Sequence, residues 1–220
     1  MFWVWVNKIV RLLARLPLSR ALFRLPALKR LAGAADVRAI LSLPDRKYME
    51  GVILPALRAA NLKRILFVGC GPYTAHYPGF FAGTGTEFWT TDIVPENAAY
   101  GAPNRHVIGD VLQARSLFEA KSFDAIFLNG VFGYGVDAVP AMEEVLKIMH
   151  DLLKPGGALM VGWDRGLVPD PGTLENCAPL FTHKSMFGLP PRQSFKLYSA
   201  IFCPSRRVVD LHLFDWFEAR

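Results

Sequence analysis

The feature that most constrains the fold is a short apolar run that stops abruptly at a glycine turn. Residues 64–68 read RILFV, and residues 69–72, GCGP, follow directly. A short apolar run of this kind is typical of a strand that is buried on both faces of a parallel sheet. Glycines after such a strand allow the backbone to approach a ligand closely. The pattern therefore predicts a strand that leads into a ligand-binding loop.

Further apolar runs alternate with helical patterns along the chain. Strands are predicted at 87–91, 106–108, 123–128 and 158–163, and helices at 46–62 and 138–153, the second stopped by KPGG at 154–157. This alternation predicts a parallel sheet with helices on both faces. Two more strand-like runs, 194–202 and 207–217, flank a turn at 203–206. Strands joined so closely must be antiparallel, so the sheet is expected to be mixed at its C-terminal edge.

Polar residues follow the predicted strands where each one ends. Asp92, Asp110 and Asn129 come directly or almost directly after the second, third and fourth strands. Because ligands bind at the carboxyl ends of the strands in an open parallel sheet, we expect these side chains to border one site. Asp92 lies 23 residues after Gly69, a spacing at which an acid accepts hydrogen bonds from ribose hydroxyls.

The positive charge is confined to the amino-terminal segment. The net charge is +6, yet residues 1–35 hold seven cations and no acid, which leaves 18 cations and 19 acids in the rest. We interpret residues 1–45 as a basic amphipathic helical segment, broken at Pro17 and Pro26, and residues 46–220 as the folded domain. Residues 1–33 suit either an anionic membrane surface or a cover over the domain, and these alternatives stay open.

Composition excludes several classes of protein. A body without a basic stripe is not expected to bind nucleic acid. The three scattered cysteines form no CxxC pair, so neither a disulfide framework nor a metal site is expected. The longest stretch of the amino-terminal segment without a charge is residues 1–7, too short to span a bilayer. We expect a cytoplasmic protein, peripheral on the inner face of the cell membrane if the basic segment binds lipid.

Five segments of the sequence resemble the class I S-adenosylmethionine-dependent methyltransferases. They read RILFVGCGPYT, FWTTDI, VIGDV, SFDAIFLNGVF and LLKPGGALMVGW, beginning at residues 64, 88, 107, 122 and 152. The resemblance looks closest to small methyltransferases of bacterial polysaccharide-assembly clusters. It implies an α/β, Rossmann-like fold: a mostly parallel seven-stranded sheet with an antiparallel C-terminal edge. It also implies S-adenosyl-L-methionine as cofactor and a small-molecule, saccharide or lipid-linked acceptor.

The resemblance also implies roles for individual residues. The glycine loop would pass the methionine end of the cofactor, Asp92 would hold the ribose, and Asp110 would face the adenine amino group. Ile93 and Val111 would flank the adenine ring, and Asn129 with Gly130 would lie beside the transferred methyl group. The predicted cofactor-binding set is Gly69, Cys70, Gly71, Tyr73, Asp92, Ile93, Asp110, Val111, Asn129 and Gly130.

The predicted catalytic candidates are His76, Tyr73, Asn129 and Asp137. Histidine is the side chain most often used as a general base, so His76 is a candidate for that role, although a helix-surface histidine is an alternative interpretation. Asp137 is alternatively the N-cap of the helix at 138–153. Tyr73 is also expected to shape the pocket.

Two departures from the family pattern keep a second function open. Phe67 stands where the family has an acid, and Tyr73 replaces the third glycine of the loop. A methyltransferase-fold binding or scaffold protein without catalysis is therefore the alternative. A nicotinamide-dependent oxidoreductase is less favoured, because the motif GxGxxG would need glycine or alanine at Thr74.

Overall fold

The computed structural model describes residues 26–196 and 211–220. Its strands are β1 (Arg64–Val68), β2 (Glu87–Asp92), β3 (His106–Ile108), β4 (Phe123–Asn129), β5 (Leu153–Arg165), β6 (Phe181–His183), β7 (Arg192–Lys196) and β8 (Leu211–Ala219). Its α-helices are α1 (Pro26–Leu41), α2 (Pro44–Tyr48), α3 (Leu54–Ala59), α4 (Ala114–Leu117), α5 (Val139–Leu152) and α6 (Cys177–Leu180). Short 3-10 helices connect several of these elements.

The strands form one sheet in the order β3-β2-β1-β4-β5-β8-β6. The first five positions are parallel, and β8 runs antiparallel to β5. Both β6 and β7 pair with β8: β6 pairs with residues 217–219, and β7 pairs with residues 211–215. The sheet thus has seven positions across, with the last one divided between two short strands. The predicted mostly parallel sheet with an antiparallel C-terminal edge is confirmed, but it has eight strands rather than the predicted seven, because both β6 and β7 pair with β8.

Alternate residues of the buried strands face two separate hydrophobic layers. Leu66 and Val68 of β1 pack in the layer that includes α5, whereas Ile65 and Phe67 pack in the layer that includes α3 and the turn before it. This alternation follows from the two-residue period of a strand. The predicted helices on both faces are therefore confirmed.

The helix predicted at 46–62 forms as three consecutive pieces. A π-helical turn, Met49–Ile53, joins α2 to α3. It ends just before Pro55, which has no backbone N–H with which to continue the α-helical hydrogen bonds. The predicted break at Pro26 coincides with the first residue of α1, while the break at Pro17 lies outside the described residues. Between residues 26 and 196 and from 211 onward, no helix is long and apolar enough to span a bilayer.

Two details of the C-terminal half differ from the sequence prediction. The helix predicted at 138–153 ends one residue earlier, at Leu152, and β5 begins at Leu153 and includes KPGG. These residues form an irregularity in the pairing with β4 between Phe123 and Ala125. The strand β6, Phe181–His183, was not predicted, because no apolar run in the sequence marks it. The predicted turn at 203–206 lies outside the described residues.

Asp124 ties three strands together at the amino end of the sheet. Its Oδ2 accepts hydrogen bonds from the amides of Lys63 and Arg64, at 2.7 and 2.8 Å, and Lys154 Nζ donates to its Oδ1 at 2.6 Å. Burial acts to raise the pKa of Asp124, but Lys154 and the two amides outweigh burial and lower it. The carboxylate therefore stabilises the sheet at the amino ends of β1, β4 and β5, the end away from the carboxyl ends of the strands.

Candidate active site

A cavity of about 290 Å³ lies across the carboxyl ends of β1 to β4. This is the position at which open parallel sheets bind ligands. Its walls come from four strand ends and the loops that follow them. The lining residues include Gly69, Asp92, Ile93, Val94, Asn97, Asp110, Val111, Leu112, Gly130 and Tyr134. We call it the cofactor cavity.

The glycine loop is anchored to the neighbouring strand. Gly69 has φ +88°, a backbone conformation that favours glycine. Its amide donates to the Thr91 carbonyl at 2.9 Å. Thr74 closes the other end of the loop, because its hydroxyl accepts from the Gly71 amide and donates to the Gly71 carbonyl, both at 3.0 Å. The loop is therefore held in one shape before any ligand binds.

Asp92 organises the centre of the cofactor cavity. Its Oδ2 accepts from the Cys70 amide at 2.6 Å, and its Oδ1 accepts from the Val94 amide at 2.8 Å. These bonds fix the carboxylate and connect the end of β2 to the glycine loop. Each carboxylate oxygen still has a second acceptor position. A ribose diol is the type of ligand that such a fixed carboxylate can bind.

Burial and the nearby Asp92 carboxylate raise the pKa of the Cys70 thiol to about 12. The thiol therefore stays protonated at neutral pH and is not a nucleophile. Cys70 contributes its backbone amide to the site.

One wall of the cofactor cavity is unusually apolar for an exposed surface. Ile93 is 63% exposed, and Val94 and Leu112 are also exposed beside it. Val111 lines the same cavity, and Asp110 accepts from the Leu112 amide at 2.9 Å. Exposed apolar side chains next to fixed acids mark a ligand-binding surface. The assignment of Ile93, Val111 and Asp110 to an adenine ring stays a prediction.

A second cavity of about 140 Å³ adjoins the first one. The two cavities share Gly130 and Tyr134 as lining residues. The other lining residues are Ile40, Leu43, Asp45, Arg46, Tyr73, Asp164 and His212. We call it the acceptor cavity, because a reacting molecule placed there would meet the end of the cofactor cavity at Gly130.

Arg46 and Tyr73 form one side of the acceptor cavity. The guanidinium of Arg46 lies 4.9 Å from the centre of the Tyr73 ring, and its Nε lies 3.4 Å from Asp45 Oδ2. Burial acts to lower the pKa of Arg46, but Asp45, Tyr77 and Tyr73 raise it overall. Among the described residues, the buried Nη1 of Arg46 has no hydrogen-bond partner. This side of the cavity therefore suits an anionic group.

Asp164 and His212 form the opposite side. They are direct cross-strand partners in the pairing of β5 with β8, so their side chains share one face of the sheet. His212 Nδ1 lies 2.7 Å from Asp164 Oδ1, and the Tyr134 hydroxyl donates to Asp164 Oδ2. Asp164 is 2% exposed and His212 is 4% exposed. The sequence pattern did not single out His212, because its partner lies 48 residues away.

The four predicted catalytic candidates fall in different places. Tyr73 lines the acceptor cavity. Asn129 is buried and lines neither cavity, and a Cβ on Gly162 would collide with its amide oxygen. His76 is 45% exposed, and its Nε2 lies 3.2 Å from Glu50 Oε1 on the outer surface.

Asp137, the fourth candidate, is exposed in the loop before α5. It is not the N-cap of that helix, since Ala138 occupies the cap position and no side chain bonds there. The structure brings neither His76 nor Asp137 into either cavity wall. Their catalytic roles stay predictions.

Phe67 occupies the position at which the methyltransferases that the sequence resembles have an acid, and in this structure its side chain packs in the hydrophobic core. Its ring stacks with Phe88 and Phe127, with ring centres 6.2 and 5.9 Å apart, and meets the edge of Tyr77 at 5.4 Å. The side chain is buried in the layer of α3. The departure therefore has a packing reason and leaves the cofactor cavity intact.

Comparison with known proteins agrees with this geometry. A family model described as a methyltransferase domain matches residues 66–161. No curated protein sequence matches the chain. Among solved structures, the N-methyltransferase NodS from Bradyrhizobium japonicum WM9 in complex with S-adenosyl-L-homocysteine has a TM-score of 0.60 at 18% identity, over 81% of this chain and 89% of that chain.

Two further structures have similar folds. The 1,6-didemethyltoxoflavin-N1-methyltransferase of Burkholderia thailandensis has a TM-score of 0.52 at 18% identity, over 84% of this chain and 88% of that chain. A TehB-like SAM-dependent methyltransferase from Corynebacterium glutamicum has a TM-score of 0.50 at 19% identity, over 80% of this chain and 94% of that chain. Residues 66–161 therefore match a methyltransferase domain, and the chain has the Rossmann-like fold of the solved methyltransferases, with a cavity at the strand ends where such sheets bind ligands.

Proposed function

We propose that this protein is an S-adenosylmethionine-dependent methyltransferase whose acceptor is a small polar molecule, or the small polar end of a lipid-linked one, bound in the acceptor cavity. The observation that carries the proposal is the junction of the two cavities at Gly130 and Tyr134. Alignment of two reactants in contact is the main contribution of an enzyme to a displacement reaction. A methyl group presented from the cofactor cavity would meet an acceptor at this junction.

The chemistry of the acceptor cavity restricts the acceptor. Its volume of about 140 Å³ is small, so it admits one ring or a short polar group. Arg46 offers a cation on one side, and Asp164 with His212 offers a carboxylate and an imidazole on the other. Ile40 and Leu43 add an apolar wall from the end of the amino-terminal segment. An acceptor with a ring, a polar nucleophile and an anionic substituent matches these groups.

A transfer assay tests this proposal. Full-length protein is incubated with S-adenosylmethionine that carries a tritiated methyl group and with small phenols, amines and carboxylic acids as probes. The account predicts transfer to at least one probe with a ring and an anionic group, and weaker transfer when Arg46 is replaced by Met. The matched control is Arg105→Met, because Arg105 lines neither of these cavities. Equal transfer by wild type and Arg46→Met to every probe would contradict the proposed acceptor site.

A binding protein without catalysis is the alternative function. The departures at Phe67 and Tyr73 motivate it. It predicts that S-adenosylhomocysteine binds while no methyl group reaches any probe. Calorimetric binding measured beside the transfer assay separates this alternative from enzymatic function.

Membrane association through residues 1–33 is a second part of the proposal. Each Lys or Arg near an anionic surface contributes about 1 kcal/mol, and this contribution decays within a Debye length. Full-length protein should therefore sediment with anionic vesicles, and sediment less as salt rises. Replacing Lys8, Arg11 and Arg15 with Gln should weaken sedimentation.

A matched control replaces three cations of the body, Lys121, Lys147 and Lys184, which are exposed. This variant should sediment like the wild type. Equal binding by both triple variants would refute a membrane role for the segment. That result would favour the alternative that residues 1–33 cover the domain. It would also remove the argument for a lipid-linked acceptor.

A further inference from the structure

We propose that His212 is the general base of methyl transfer and that Asp164 is its positioning residue. This inference rests on the proposed function, because it deepens the account of the acceptor cavity. It also defines the acceptor class: the nucleophile carries an O–H or N–H proton that must leave during transfer. A carboxylate acceptor, which has no such proton at neutral pH, would gain nothing from this pair.

The first observation is the orientation of the imidazole. A carboxylate only accepts hydrogen bonds, so the 2.7 Å contact with Asp164 Oδ1 requires the proton on His212 Nδ1. The other ring nitrogen, Nε2, is then the basic atom. Asp164 is itself held by the Tyr134 hydroxyl. Hydrogen bonds on both oxygens of Asp164 fix the tautomer and the direction of the ring.

The second observation is the state of His212 Nε2. It is buried and has no hydrogen-bond partner among the described residues, although His212 lines the acceptor cavity. A protonated Nε2 would bury an N–H donor without an acceptor, which is unfavourable. An unprotonated Nε2 is a hydrogen-bond acceptor that has no donor among the described residues. A hydroxyl or amine in the cavity would supply that donor.

The third observation is the set of charges around the pair. The titratable side chains that line the acceptor cavity with His212 are Asp164, Tyr134, Asp45, Arg46 and Tyr73. The carboxylate of Asp164 is the one in direct contact with the ring. It would compensate the positive charge that the imidazole gains when it takes a proton. Phe214 packs edge-on against the ring with centres 4.7 Å apart and restricts its rotation.

The proposed step balances in atoms and charge. When bound, S-adenosylmethionine supplies a methyl group from a positively charged sulfonium and is left as the neutral thioether. The acceptor oxygen or nitrogen forms the new bond to the methyl carbon with its own electron pair, while the methyl–sulfur bond breaks with its electron pair going to sulfur. The O–H or N–H proton moves to His212 Nε2. The resulting imidazolium faces the Asp164 carboxylate and afterwards releases the proton to solvent.

The first test needs no acceptor. Long-range proton–nitrogen NMR of the imidazoles in full-length protein with S-adenosylhomocysteine bound reports which ring nitrogen carries hydrogen. The proposal predicts that His212 has hydrogen on Nδ1 and a bare Nε2 at neutral pH. Asp164→Asn should disturb this tautomer. A proton fixed on Nε2 in the wild type would overturn the proposal.

The second test compares two phenols as methyl acceptors. In 4-nitrophenol the hydroxyl is largely ionised at mildly alkaline pH, whereas in phenol it keeps its proton. His212→Asn retains a donor toward Asp164 but has no nitrogen at the Nε2 position. The variant should transfer methyl to phenol about 100-fold more slowly than the wild type, but should lose much less with 4-nitrophenol. A structural role would slow both equally.

The matched control is His183→Gln. His183 also contacts a buried carboxylate, with Nε2 2.9 Å from Asp215 Oδ1, but it lines neither cavity. It should keep the wild-type rates. If S-adenosylhomocysteine fails to bind, the proposed function itself fails. If it binds and His212→Asn transfers methyl to phenol like the wild type, only the role of His212 is refuted.

Discussion

Replacing Asp92 with Ala should weaken both the fold and the cofactor site. Asp92 is buried and accepts two backbone hydrogen bonds, from Cys70 at 2.6 Å and from Val94 at 2.8 Å. The Cys70 amide is itself buried and has this carboxylate as its partner, whereas Val94 is exposed and its amide can turn to water. The main penalty therefore comes from Cys70.

The magnitude follows from these two bonds. An unsatisfied buried donor costs about 1–3 kcal/mol, and 1 kcal/mol shifts Tm by roughly 2–4 °C in a chain of this size. Asp92→Ala should thus lower Tm by roughly 2–12 °C. Loss of the charge-assisted bonds to ribose hydroxyls costs a further 1.5–3 kcal/mol or so, which is about tenfold to a hundredfold in affinity for S-adenosylhomocysteine.

The assay combines thermal unfolding with calorimetric titration of two ligands. S-adenosylhomocysteine contains the amino-acid part, and 5′-methylthioadenosine lacks it, while both contain the ribose. If Asp92 binds the ribose, Asp92→Ala should weaken both ligands by the same factor. If Asp92 acts only by anchoring the glycine loop, S-adenosylhomocysteine should lose more affinity. Unchanged affinity for both ligands in a folded variant would refute the assignment of Asp92.

Two remaining predictions concern residues outside the cavities. Asp124→Asn should lower the free energy of unfolding by about 1–2 kcal/mol at neutral pH. Because the folded pKa of Asp124 is lowered, its contribution is present above the unfolded pKa and is lost as pH falls through the folded value. Urea unfolding should therefore show the difference between wild type and variant narrowing below about pH 4. His76→Ala should change turnover less than about threefold, since His76 contacts Glu50 on the outer surface; a loss of about 100-fold would restore it as a catalytic base.

The parallel half of the fold was predictable because each strand carries its own local signal. The predicted bounds of β1 and β3 match the structure, and β2 and β4 each extend one residue further. Apolar runs that end at glycine or acid define such strands without reference to the rest of the chain. The strand β6 has no comparable signal. Its three residues are stabilised by pairing with β8, which is a tertiary contact.

The cofactor site was more predictable than the acceptor site for a similar reason. Asp92, Ile93, Asp110, Val111 and Gly130 all line one cavity because parallel strands place their ends at one edge. Asp164 directly follows the strand predicted at 158–163, but its pairing with His212 depends on the register of two antiparallel strands. Register follows from packing and turn geometry across the whole edge. No local pattern around His212 reports it.

A crystal structure of the full-length protein with S-adenosylhomocysteine tests the central claim most directly. The account predicts the ribose hydroxyls within hydrogen-bond distance of the Asp92 carboxylate and the adenine between Ile93 and Val111. It also predicts the sulfur atom facing the acceptor cavity at Gly130 and Tyr134. A ligand whose adenosyl group lies outside the cofactor cavity, or whose sulfur faces away from His212, would contradict the account.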